Sequence, residues 1–101
     1  MTDRNLYTGL IRLHILHHAG EGPIFGQAMI DELGRHGYRL SAGTLYPILH
    51  GMERQGYLRS RVSLKGGRNR RVYRVTPAGR KALVTARQRV LELFGEMFEH
   101  A

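Results

Sequence analysis

The sequence predicts a mainly α-helical domain with one small β-hairpin, and three observations carry that prediction. Apolar residues recur at helical spacing through the first half of the chain. Near residue 58 their period changes to two, and after a Thr-Pro pair the helical period returns and runs to the end.

The first helix is marked by Leu6, Leu10, Leu13 and Leu16, with Ile11 and Ile15 widening the stripe, and Gly20, Gly22 and Pro23 end it. A second helix, Phe25 to Gly34, places Phe25, Met29 and Leu33 every fourth residue, and Gly34 and Gly37 stop it. Tyr38 to Leu40 reads as a short connection. Ser41 then stands as an N-cap whose hydroxyl accepts from a first-turn N–H, and a helix follows to Gln55 with Gly56 as its stop. Leu45, Ile48, Leu49 and Met52 form the buried face of that third helix.

Leu58 to Lys65 alternates apolar and polar residues as a half-buried strand does. A second alternating run, Arg71 to Val75, carries Tyr73 and Val75 on one face and Val72 on the other, with Tyr73 read as core rather than contact. Gly66-Gly67-Arg68-Asn69 between them suits a hairpin tip. Thr76 as cap and Pro77 at the first helical position open a final helix of about twenty residues.

Three helices, a hairpin and a long helix make the winged helix-turn-helix plan. Residues 1–76 are expected to form the DNA-binding unit and 77–101 a dimerisation helix within the same compact body. The charge agrees with this. Arg54 to Leu91 holds twelve basic residues and no acidic one, while the remainder holds four basic and eight acidic, so a chain of net charge +8 is strongly polarised. Such a field concentrates and steers a polyanion.

An α-helix fits the major groove and reads bases with its N-terminal residues. On the third helix the candidates are Ser41, Ala42, Gly43, Thr44, Tyr46, Pro47, His50 and Arg54. The small residues allow close approach, Tyr46 and His50 offer hydrogen bonds, and Arg54 suits the phosphate backbone. Pro47 breaks the helix rule by removing the bond to the Gly43 carbonyl, which marks either a functional place or a tolerated late first turn. In the wing, Lys65, Arg68, Asn69, Arg70 and Arg71 form a cationic finger for phosphates or a narrow minor groove.

The last helix argues for self-association. Leu83, Val84, Val90, Leu91, Phe94, Met97 and Phe98 spread along roughly 30 Å of helix, more than a core of this size covers. The expected dimer interface is Leu6, Leu10, Leu83, Val90, Leu91, Phe94, Met97 and Phe98, and its two-fold symmetry would match a palindromic operator. A small hydrophobic effector between subunits is a secondary expectation.

Other chemistries find little support. Without Cys there is neither a disulfide framework nor a thiolate metal site. His14 and His18 lie one turn apart with His17 beside them, a spacing that can bind metal. With no carboxylate on that turn they are read as surface or interface histidines, so no metal or cofactor is expected. No nucleophile–base constellation is present, and no enzyme is expected. Met1 to Tyr7 is charged and polar where a signal peptide needs an apolar run, and no stretch approaches a membrane span, so a cytoplasmic protein is expected.

The run Leu40-Ser41-Ala42-Gly43-Thr44-Leu45-Tyr46-Pro47-Ile48-Leu49, continued by Met52-Glu53-Arg54-Gln55-Gly56-Tyr57-Leu58, closely resembles the PadR family of transcriptional regulators. Tyr73 to Gly79 resembles that family's passage from strand to last helix. The resemblance spans about Leu6 to Leu83, with Gly-Thr-Leu-Tyr-Pro its most specific part. It implies a dimeric repressor, ligand- or stress-responsive, that binds an inverted repeat through recognition helix and wing. A single C-terminal helix places the chain with the short subfamily. The absence of Trp argues against the tryptophan-lined drug cavity of the best-known short members. Two other readings stay open: a sequence-indifferent architectural nucleic-acid binder, and a basic module that meets an acidic protein.

Overall fold

The computed structural model describes residues 4–64 and 70–99. Its elements are α1 (Arg4–Glu21), β1 (Ile24–Phe25), α2 (Gly26–Arg35), α3 (Ala42–Arg54), β2 (Leu58–Ser63), β3 (Arg70–Val75), α4 (Pro77–Phe94) and a closing π turn (Gly95–Glu99). The expected mainly helical architecture is present, with one addition: the sheet has three antiparallel strands in the order β1-β3-β2. Phe25, expected to begin the second helix, instead belongs to β1 and pairs with Val72, while Ile24 pairs with Tyr73. A two-residue strand has too few positions for a period to register.

α2 and α3 end by the same device. Gly37 (φ 90°) and Gly56 (φ 88°) adopt the left-handed region that a side chain disfavours. Tyr38 N–H then donates to the Leu33 carbonyl and Tyr57 N–H to the Met52 carbonyl, each at 2.9 Å, satisfying last-turn acceptors. Gly20 and Gly34, expected to stop α1 and α2, lie inside them, because neither takes a left-handed conformation.

One core joins the helices to the sheet. α1 contributes Ile11, Ile15, Leu16 and Ala19, α2 Met29 and Leu33, α3 Leu45, Leu49 and Met52, and the strands Ile24, Leu58 and Tyr73. Fully burying one such leucine is worth roughly 1.5–3 kcal/mol over leaving it exposed. The α1 stripe is therefore rotated from the expected one, with the isoleucines central. Ile48 is only half-buried.

The hairpin outruns this core. Leu58 is buried, but Val62 and Leu64 are 51% and 70% exposed despite their alternation. The strand expected to reach Lys65 ends at Ser63. Among the described residues nothing covers the Val62 and Leu64 side chains. On β3 both Tyr73 and Val72, which point to opposite faces, are buried.

α4 starts as expected. Gly79 N–H donates to the Thr76 hydroxyl oxygen at 2.9 Å, with Pro77 in the first turn. The Thr76 hydroxyl donates in turn to the Gly56 carbonyl, and Thr76 N–H donates to the Tyr57 carbonyl at 3.0 Å. Gly79 sits so close that a Cβ there would run into the Tyr57 carbonyl and the Val75 side chain. The end of α3 and the start of α4 are thereby joined.

Candidate nucleic-acid interface

α3 presents most of its candidate residues to solvent. Ser41, Ala42, Gly43, Pro47, His50 and Arg54 are exposed, whereas Thr44 and Tyr46 are half-buried. Ser41 occupies the N-cap position, but its hydroxyl does not accept from the helix; it lies 3.4 Å from the Thr44 hydroxyl, to which it donates. The capping chemistry expected of Ser41 is therefore absent. An exposed first turn can be hydrated, and its N–H groups face outward with the partial positive charge of a helix N-terminus. The helix continues through Pro47, which leaves the Gly43 carbonyl without its usual intrahelical donor.

Tyr46 is anchored from the other side. Its ring lies against Gly26, where a Cβ would collide with the phenol. This contact is with the first residue of α2. His50 stands between aromatic neighbours, 6.3 Å from Tyr46 and 6.5 Å from Tyr73 between ring centroids. The Tyr73 hydroxyl is buried with no hydrogen-bond partner among the described residues, and burial pushes it above its ordinary pKa.

The base of the wing meets this surface. Phe25, Gly26 and Ala28 from β1 and α2, Tyr46 from α3, and Arg70 and Arg71 from β3 line one groove of about 540 Å³. Arg70 holds its guanidinium 5.4 Å above the centre of the Phe25 ring, a cation–π contact that leaves the charge toward solvent. Arg71 donates to the Ser60 hydroxyl oxygen at 3.0 Å. Ser60 N–H and its hydroxyl donate to the Glu53 carboxylate at 3.0 and 2.9 Å. This relay fixes the wing's base to the last turn of α3. Sequence reasoning missed Glu53 and Ser60, because a contact seven residues apart across a turn leaves no periodic trace.

Cross-strand pairing concentrates positive charge. Arg59 pairs with Arg74, Arg61 with Val72, and Ser63 with Arg70, which sets Arg59, Arg61, Arg70 and Arg74 on one face. Like charges directly opposite repel. Among the described residues no arginine of β2 or β3 has a carboxylate partner; the ion pairs all involve Glu21 or Glu32. The expected contacts Lys65, Arg68 and Asn69 lie outside the described residues.

A second surface is apolar. Leu6, Leu10, Val90, Leu91, Phe94, Met97 and Phe98 are all exposed, Leu91 by 71% and Phe98 by 66%. Leu83 differs from the others, being half-buried against the chain's own core. Between α1 and α4, Leu13, Leu83, Val90, Leu91 and Phe94 line a groove of about 590 Å³. No helix among the described residues is long and apolar enough to cross a membrane.

Comparison with known proteins places this geometry. The transcriptional regulator PadR-like family matches residues 15–85. The transcriptional regulator Rv3488 of Mycobacterium tuberculosis is 50% identical over 94 residues, which span 93% of this chain and 88% of that one. A structure from Thermoplasma acidophilum is 30% identical, with a TM-score of 0.80 over 97% of this chain and 94% of its own. A PadR family transcriptional regulator from Eggerthella lenta is 33% identical, with a TM-score of 0.73 over 96% of this chain and 88% of its own. The family match covers the helix-turn-helix, the wing and the first half of α4, and on that ground the chain belongs to the PadR-like family of transcriptional regulators.

Proposed function

We propose that this chain is a homodimeric, sequence-specific repressor that binds an inverted-repeat operator in double-stranded DNA in the cytoplasm. α3 enters the major groove and reads bases through its first two turns, Ser41 to His50, while Arg54 and the wing hold the phosphate backbone. The observation that carries this reading is the groove shared by Tyr46 of α3 and by Arg70 and Arg71 at the wing's base. A duplex laid along α3 meets those cations without any rearrangement of the fold. Lys65, Arg68 and Asn69, which lie outside the described residues, are assigned further backbone contacts. The exposed apolar face of α4, with Leu6 and Leu10 of α1, packs against a second copy and sets two α3 helices at successive turns of DNA. Between the copies, the α1–α4 groove is where a small apolar effector acts.

The test is binding by fluorescence anisotropy to duplexes tiled across the DNA next to the protein's own gene. The reading expects one palindromic segment bound at least a thousandfold tighter than random duplex. Equal affinity for every duplex supports an architectural binder instead, and absence of duplex binding supports a protein-interaction module. Thr44→Ala is expected to weaken the operator complex and leave binding to random duplex unchanged.

A further inference from the structure

We propose that the last turn of α1 is a binding site for one divalent transition cation of the zinc class, with His17, His18 and Glu21 as ligands and Glu32 of α2 as the outer carboxylate that orients His18. Glu21 supplies the carboxylate that the histidine spacing alone lacked. Its Oε2 lies 3.6 Å from His17 Nε2 and its Oε1 lies 3.6 Å from His18 Nδ1. One ligand atom from each of the three side chains falls within 4.8 Å of the others. Donors held at about 2.0–2.1 Å from a tetrahedral ion stand roughly 3.4 Å apart, so small side-chain adjustments close this set around a cation. Two imidazoles and one carboxylate suit zinc, cobalt, nickel or copper; calcium and magnesium require oxygen-rich shells. Water completes the coordination on the exposed side.

The second observation comes from another helix. His18 meets carboxylates at both ring nitrogens: Nδ1 faces Glu21, and Nε2 lies 3.5 Å from Glu32 Oε2. With its proton on Nε2 toward Glu32, the ring presents the Nδ1 lone pair to the ion. A carboxylate behind a ligating imidazole is the arrangement that fixes tautomer and ring angle in metal sites. Glu32 is itself held by Arg35 at 2.7 Å and by His36 at 2.9 Å. Helix-surface pairing of His17 and His18 with Glu21 explains one side of His18 but not the carboxylate from α2 on the other. His14, the partner that one-turn spacing suggests for His18, is not a ligand, since its ring stacks on His36 with centroids 4.8 Å apart. The site borders the α1–α4 groove through His17, and none of its residues lines the groove of Tyr46, Arg70 and Arg71.

The experiment uses the untagged full chain, stripped with chelator and titrated with Co²⁺ by visible absorption, with Zn²⁺ as displacing ion. The expected result is one Co²⁺ per chain with a tetrahedral d–d spectrum that Zn²⁺ abolishes. Glu21→Gln and His17→Gln each weaken binding at least tenfold, and Glu32→Gln weakens it about 10–100-fold without removing a ligand. His14→Ala leaves it within twofold. His17 and Glu21 are exposed, so these variants keep the fold, which far-UV circular dichroism checks. Independently of any substitution, Co²⁺ broadens the His17 and His18 ring resonances of the parent chain first. The proposal is overturned if Co²⁺ does not saturate a site, if Glu21→Gln binds as the parent does, or if the His14 and His36 rings broaden before those of His17 and His18.

Discussion

At the junction of α1 and α2, Glu21 and Glu32 are ringed by nitrogen-bearing partners: His17, His18, Arg35 and His36 all lie within 3.6 Å of one of them. Across the molecule, on β2 and β3, Arg59 faces Arg74, with Arg61 and Arg70 on the same side and, among the described residues, no carboxylate paired to any of them. Both regions are rich in charge, yet only the first completes its own pairing. Unpaired like charge on a two-stranded ribbon weakens the fold slightly. It is relieved when an outside polyanion arrives, and it makes association faster and more salt-sensitive. Pairing, rather than the number of charges, thus separates the two regions, and under the proposed function the duplex falls to the unpaired one.

The largest expected effect breaks or upholds that contrast at once. If the wing and α3 together neutralise about six phosphates, raising salt from about 50 to 200 mM lowers DNA affinity about a thousandfold. Arg74→Ala flattens this dependence and Arg35→Ala does not, as anisotropy titrations at several salt concentrations will show. Equal effects of the two substitutions would erase the distinction between the regions. Next in size is Phe94→Asp, which places a charge in the exposed α4 face. Sedimentation should find the parent dimeric and the variant monomeric, with operator affinity lowered about a hundredfold by loss of avidity.

A smaller effect separates reading from holding. Thr44→Ala at the start of α3 is expected to reduce discrimination between operator and mismatched duplex by about 1–2 kcal/mol, measured by competition. The smallest lies in the core between the regions. Tyr73 buries a hydroxyl with no partner among the described residues, and burial raises its pKa above 10.0. A raised folded-state value means stability that is intact below the unfolded pKa and is lost as pH rises through the folded one. Tyr73→Phe should therefore hold or raise stability at neutral pH by up to about 1 kcal/mol and flatten the loss above pH 10, both read by urea denaturation. A marked destabilisation at neutral pH would expose a partner for that hydroxyl.

The sequence displays some of this architecture more clearly than the rest, for physical reasons. Long helices repeat their apolar residues several times, so α1, α2 and α3 were legible, as was the Thr76-Pro77 start of α4. β1 was not, since two residues carry no period. The alternation of Val62 and Leu64 promised a buried face, but a wing extends past its core, and alternation records which way side chains point rather than what covers them. Of the candidate interface, the exposure of the α3 tip and of Arg70 and Arg71 agrees with residue type, while Lys65, Arg68 and Asn69 lie outside the described residues. The Arg71–Ser60–Glu53 relay and the Glu32–His18 contact could not, because both depend on how separate elements meet. The apolar face of α4 stood out in the sequence because it exceeds what one small core can cover.

The most direct test of the central claim, that the wing's unpaired cations and α3 engage one duplex, is the salt dependence of operator binding by Arg70→Ala/Arg71→Ala. The slope of log affinity against log salt should become shallower by about two, while the preference for operator over random duplex is kept. An unchanged slope would contradict that claim.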